Sequence, residues 1–173
     1  MNLTFTVEDG TGIAGANSYC TEDTFDDYAE LHAYAVTVGD TEAALVRATT
    51  SLDAQYRRLY PGTKTNGRDQ GLEWPRTGAI DMGGVALPDD EIPQEIIDAT
   101  CELALRELSS PGSTQPDLDR GGEIHRLKAG SVEIEYGANA AATTTFSVVD
   151  GILSSLIPVG GSGGGTSATA TRG

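Results

Sequence analysis

Between Pro93 and Leu108 the chain sets Ile96, Ile97, Thr100, Cys101, Ala104, Leu105 and Leu108 at helical spacing. So continuous an apolar stripe commits the segment to an amphipathic helix that must be covered by other elements. Pro93 suits its first turn, where a missing N–H costs nothing. Glu95, Asp98, Glu102 and Arg106 take the other side, with Glu102 and Arg106 spaced as a supporting ion pair, and Ser109-Ser110-Pro111-Gly112 ends the helix. A second helix is expected from about Thr41 to Leu59, with Leu45, Ala48, Leu52, Tyr56 and Leu59 at steps of three and four and Arg57 and Arg58 at its negative end. Ahead of it, Thr21 can cap a first helix running to about Ala35. Glu22 and Asp23 favour its positive end, Phe25, Tyr28, Leu31 and His32 form its apolar side, and Gly39-Asp40 breaks and recaps the chain.

The remaining segments read differently. Leu3, Phe5 and Val7 alternate with polar residues, the period of a half-buried strand over 2–8 that needs a partner edge. Residues 123–137 suggest a β-hairpin, with Ile124, Arg126 and Lys128 facing Val132, Ile134 and Tyr136 across Ala129-Gly130; the imperfect parity of the apolar set leaves the register open. A last short helix is expected over 146–157, with Phe146 at its start and Val149, Ile152, Leu153 and Leu156 on one side. From 158 to 173 the chain is Gly, Ser, Thr and Ala, which cannot bury enough apolar area to order itself alone. Residues 61–91 lack helical period. They form a long loop around Leu72-Glu73-Trp74-Pro75-Arg76, where the only tryptophan, with Arg76 beside it, anchors the loop to the helices. The expected architecture is mainly α: a small helical bundle (21–110) with a β-hairpin and extended N- and C-terminal arms, one domain over 1–157 followed by the tail.

Composition narrows the function. At 173 residues with 38% hydrophobic residues there is material for one real core. Eleven Lys and Arg against 26 Asp and Glu give a net charge of −15, which disfavours binding to a phosphate backbone unless the cations cluster. More than half of them, Arg47, Arg57, Arg58, Lys64, Arg68 and Arg76, do fall within one third of the chain; interspersed surface pairing is the plainer reading, and aromatic partners for stacked bases are thin. No apolar run approaches the roughly 20 residues that span a bilayer, and the first residues resemble no secretory signal, so a cytoplasm-like compartment is expected and no membrane. Cys20 and Cys101, in separate helical regions, leave either a disulfide or a reduced buried pair open, with the reduced pair favoured.

Catalytic and ligand motifs are weak. Gly10-Thr11-Gly12-Ile13-Ala14-Gly15 has the spacing of a phosphate cradle, but no helix starts inside it and no parallel strand follows, so a connector is the better reading. His32 and His125 stand apart with no metal-ligand spacing around them, and His32 reads as a packing residue. No nucleophile elbow or local triad exists, and Asp26-Asp27 and Asp89-Asp90-Glu91 are ordinary helix-start acids. No catalytic, cofactor or metal site is expected.

Taken in order, Ala16-Asn17-Ser18-Tyr19, Ala48-Thr49-Thr50-Ser51-Leu52-Asp53, Leu72-Glu73-Trp74-Pro75-Arg76, Ile92-Pro93, Ala99-Thr100-Cys101-Glu102-Leu103-Ala104 and Leu127-Lys128-Ala129-Gly130-Ser131-Val132-Glu133 resemble tailed-phage head-to-tail connector proteins. Some relatives of that family carry a DnaT-like single-stranded-DNA-binding label. The resemblance spans about residues 14–157. It implies a structural virion protein, made in the host cytoplasm, that forms a dodecameric adaptor ring between the portal protein and a tail or stopper protein, through which DNA passes without specific binding. On that analogy Phe146, Val149, Ile152, Leu153 and Leu156 with the tail would contact the portal, and Leu3, Phe5, Val7, Ile124, Val132 and Ile134 would knit subunits together. A single-strand-binding replication accessory is the alternative, and a nucleotide enzyme using Gly10–Gly15 comes third.

Overall fold

The computed structural model describes residues 4–114 and 146–158, together with the backbone of strands 126–129 and 132–135. Four helices carry the fold: α1 (Glu22–Leu31), α2 (Thr41–Tyr56), α3 (Gln94–Ser109) and α4 (Ser147–Leu153). Two short antiparallel pairs accompany them, β1 (Thr63–Lys64) with β2 (Arg76–Thr77), and β3 (Arg126–Ala129) with β4 (Val132–Glu135). The mainly helical architecture with a hairpin is the one expected. No helix among the described residues is long and apolar enough to cross a membrane.

α3 is the hub, because α1, α2 and α4 all pack on it. Leu45, Ala48, Leu52 and Tyr56 of α2 meet Ile96, Ala99, Leu103, Ala104 and Leu108 of α3 in one buried cluster, joined by Phe25, Val149, Leu153, Leu156 and Ile157. A helix covered on several sides buries polar positions too. Glu102 is therefore inside rather than on an outer face paired with Arg106, and its Oε1 accepts from the Tyr28 and Tyr34 hydroxyls at 3.0 and 2.9 Å. Glu107 is fully buried and accepts from Arg47 Nε at 2.6 Å and from Gly112 N, Thr114 N and Thr114 Oγ1. Burial pushes the Glu107 carboxyl up, but these donors outweigh it and hold its pKa at about 2. The carboxylate fastens α2 and the turn after α3 to the hub.

Helix ends differ from the sequence reading in instructive ways. Thr21 caps α1 through its hydroxyl, accepting from Thr24 N, and Asp40 caps α2 by accepting from Ala43 N. α1, however, stops at Leu31 rather than Ala35. Ala33 adopts φ +54°, Ala33 N reaches Glu30 O and Tyr34 N reaches Ala29 O, a paired closure that glycine usually makes. With no glycine there, the sequence carried no stop signal. α2 ends at Tyr56, so Leu59 lies on the surface instead of extending the stripe.

Three further expectations are corrected. The N-terminal segment is not an unpaired edge: Val7 bridges Ser18, Glu8 N donates to Ser18 O, and Asn17 exchanges hydrogen bonds with Thr6 and Thr4. Phe5 packs against the chain's own core and Val7 is half-buried. The hairpin register pairs Leu127 with Ile134 and Ala129 with Val132, so Arg126 and Lys128 stand opposite Glu135 and Glu133 rather than Val132 and Ile134. Phe146, Val149, Leu153 and Leu156 are buried in the chain's own core, and Ile152 is half-buried against it. Their apolar stripe packs against α3 within the chain. Leu3, Ile124, Tyr136 and the tail from 159 on lie outside the described residues, as do the side chains of Val132 and Ile134.

Candidate functional site

The glycine run is the first place to look for a ligand, and it is already filled. Glu8 is buried, and its Oε1 accepts from Gly10 N (3.1 Å) and Gly12 N (2.8 Å) while Oε2 accepts from Ile13 N (2.8 Å). A chain of amides wrapped round an anion is how backbone cradles hold phosphate. Here the anion is the protein's own carboxylate. Gly10 has φ +99°, and a side chain there would run into the Asp90 carbonyl; one at Gly12 would meet the Asn66 amide, which itself donates to Thr11 O and Gly12 O. The turn is a closed structural device, neither a flexible connector nor a nucleotide site.

The segment around Trp74 is equally committed. Trp74 is fully buried, its ring edge-on to Tyr60 at 5.7 Å, and the Trp74–Pro75 peptide is cis. Arg76 lies inside the loop, donating through Nε to Pro61 O, through Nη2 to Gly62 O and through Nη1 to Glu73. Gln70, also buried, spans the loop from Asn66 N to the carbonyls of Leu72 and Pro75. Asp53 of α2 receives the Tyr19 hydroxyl at 2.8 Å and Glu73 N at 3.1 Å, and the Tyr19 hydroxyl also accepts from Glu73 N and Trp74 N. Burial drives the Asp53 pKa up to about 7 against the opposing pull of the Tyr19 and Glu73 donors. A raised carboxyl could signal general acid–base work. The donors around it are the Tyr19 hydroxyl and the loop's own Glu73 N–H, so the arrangement explains anchoring without a substrate.

Nucleic-acid features are spent in the same way. Of the clustered cations, Arg47 is paired with Glu107, Lys64 donates to Gln70 O and Arg76 is buried. Arg57, Arg58 and Arg68 remain exposed. Tyr56, Tyr60 and Trp74, the nearby aromatics, are all buried, so none presents a face to a base. His32 is exposed rather than packed inside, stacked between Tyr28 and Tyr34 with Nδ1 2.9 Å from Tyr28 O.

What is left free is apolar. Every residue from Leu31 to Asp40 is exposed, among them Leu31 (83%), Tyr34 (44%), Val36 and Val38 (100%). Among the described residues, no N–H from Ala35 to Gly39 is hydrogen-bonded. Beside this segment a groove of about 660 Å³ is lined by Tyr34, Ala35, Leu105, Arg106, Phe146 and Val148. A second exposed apolar loop carries Ile80, Met82 and Val85, held as a small turn by the Ile80–Ala86 bridge and by Met82 N donating to Ser155 O. Contiguous exposed apolar segments are the kind of surface through which proteins commonly meet one another. Sequence reasoning assigned Leu31 to the apolar side of the first helix and left 80–85 within the long loop, because periodicity cannot tell a covered stripe from an uncovered one.

Fold and surface together define a small helical domain with committed polar interiors and, among the described residues, two exposed apolar loops. A family model described as "Putative DnaT-like ssDNA binding protein" matches residues 3–173, and the chain belongs to that family. No curated protein and no solved structure matches it.

Proposed function

We propose that the chain is a non-enzymatic assembly protein, a head-to-tail adaptor of a tailed-phage virion that forms a ring between the portal and a tail or stopper protein. The observation that carries this reading is the exposed apolar segment Leu31–Val38, whose backbone donors from Ala35 on make no hydrogen bond among the described residues. An extended segment of this kind suits strand addition or apolar docking between chains. The ordered connector-like motifs support the finer identity. The net charge of −15 suits a channel that lets DNA slide rather than holding it. Because the apolar side of α4 is internal, subunit contacts on this reading fall to the 31–38 and 80–85 loops, and portal contact to the segment beyond Pro158.

The test is sedimentation of the full chain with its cognate portal, alone and carrying Val38→Asp with Leu31→Asp. Co-sedimentation with portal and a self-assembled species are expected of the wild type, with the self-assembled species lost in the folded variant; absence of any portal-bound or self-assembled species would overturn the adaptor. The family description favours a second reading, single-stranded-DNA binding through Arg57, Arg58 and Arg68. A mobility shift with oligonucleotide at physiological ionic strength, weakened by salt and by substituting those arginines, would replace the adaptor with that reading.

A further inference from the structure

We propose that Cys20 and Cys101 are an oxidation site: on meeting a peroxide they close to an intrachain disulfide that staples the start of α1 to the middle of α3. Both thiols are free and buried, and their sulfurs lie 3.7 Å apart although 81 positions separate them in sequence. Chance burial of the only two cysteines would not bring their sulfurs into contact. Cys20 sits one residue before Thr21, the cap of α1, and Ser18 Oγ holds it in place by donating to Cys20 O and accepting from Cys20 N. Cys101 is fixed within α3. Closing the bond asks the sulfurs to approach from 3.7 Å to about 2.05 Å, a side-chain rotation with a small helix shift.

The location gives the bond a purpose. α1 buries only Phe25 and Ala29, so it is the most weakly held of the three long helices, and Cys101 lines a cleft of about 280 Å³ that Thr24, Tyr28 and Leu31 of α1 wall in. Opening of the first turn of α1 therefore admits a small oxidant to the sulfurs. One thiolate attacks the peroxide, the O–O bond breaks, water leaves and a sulfenic acid remains. The second thiol attacks that sulfur, the S–O bond breaks and a second water leaves. In balance, two thiols give up two protons and two electrons, and hydrogen peroxide is reduced to two waters. The hydrogen bond to Cys20 and burial both push the Cys101 thiol up, so Cys101 is slow to react while α1 is closed.

The experiment treats the full chain with hydrogen peroxide, denatures it, alkylates free thiols and measures intact mass. Loss of two hydrogens with no alkylation is expected, with a peptide joining Cys20 to Cys101 after digestion. Thermal unfolding of the oxidised chain should rise by on the order of 10 °C, because the bond closes a long loop in the unfolded state. The rise should vanish on reduction and in Cys20→Ala. Two alkylatable thiols after treatment, added oxygen without cross-linking, or disulfides only between chains would each overturn the proposal. The mass readout needs no variant, so a poorly folding substitution leaves the result intact, and the outcome is independent of what the chain assembles with.

Discussion

The two connections flanking α2 invert the usual relation between loop length and order. Residues 57–93 form the long one, yet its centre is the most tightly held part of the surface layer, with Trp74, Gln70 and Arg76 buried and the Gln70 and Arg76 side chains donating to loop carbonyls. Residues 32–40 form the short one, pinned at its root by the Tyr34 hydroxyl on Glu102 and otherwise exposed. Satisfied backbone and buried apolar area hold a loop, not brevity. The short loop, apolar and with no N–H from Ala35 to Gly39 bonded among the described residues, is the one the proposed assembly would use.

The widest separation should appear between Trp74→Ala and Val38→Asp. Denaturant unfolding should show Trp74→Ala losing about 3–5 kcal/mol through the cavity it leaves. Val38→Asp should keep the parent midpoint while abolishing association; comparable losses would erase the distinction between the loops. Next in size is Glu8→Ala, which strands three amides of the glycine turn and should cost about 2–3 kcal/mol, read in the same assay.

Titration sharpens the comparison on the long-loop side. The Glu107 pKa is held below its ordinary 4.5, so its contribution is present above that value and drains away as pH falls towards about 2; Glu107→Gln should converge on the parent over that range. Asp53 runs the other way. Its pKa rises from 3.8 to about 7, so the folded chain binds the extra proton and this contribution to stability falls as pH climbs between those values. Asp53→Asn should flatten the stability profile there, and an unchanged slope would refute a buried carboxyl tying the Trp74 loop to α2. The smallest effect is expected at the root of the short loop, where Ala33→Gly relieves φ +54° and should gain about 0.5 kcal/mol by thermal unfolding.

Part of this was legible beforehand. The periods of 3.6 placed α2, α3 and α4 to within a few residues, and the hydroxyl and carboxylate caps at Thr21 and Asp40 marked two starts. Polar burial was not legible. Glu8, Glu102 and Glu107 look like any surface acid in sequence, since the donors that neutralise them come from amides and residues remote in the chain. One signal was available for Glu8: an acid just ahead of a glycine-rich turn is placed to accept the amides that such a turn exposes. The stripe of α4 illustrates the converse limit: periodicity marked its apolar face correctly but did not say that α3 covers it.

The sequence by itself determined that the chain is mainly helical, where its helices begin and which of their faces are apolar, because caps and periodicity act over a few residues. Only the tertiary structure decided which apolar surface is buried and which is exposed, brought Tyr28, Tyr34 and Arg47 onto Glu102 and Glu107, and set Cys20 against Cys101. These are outcomes of which elements meet. Burial and pairing depend on groups far apart along the chain, and no local pattern encodes the identity of a distant neighbour.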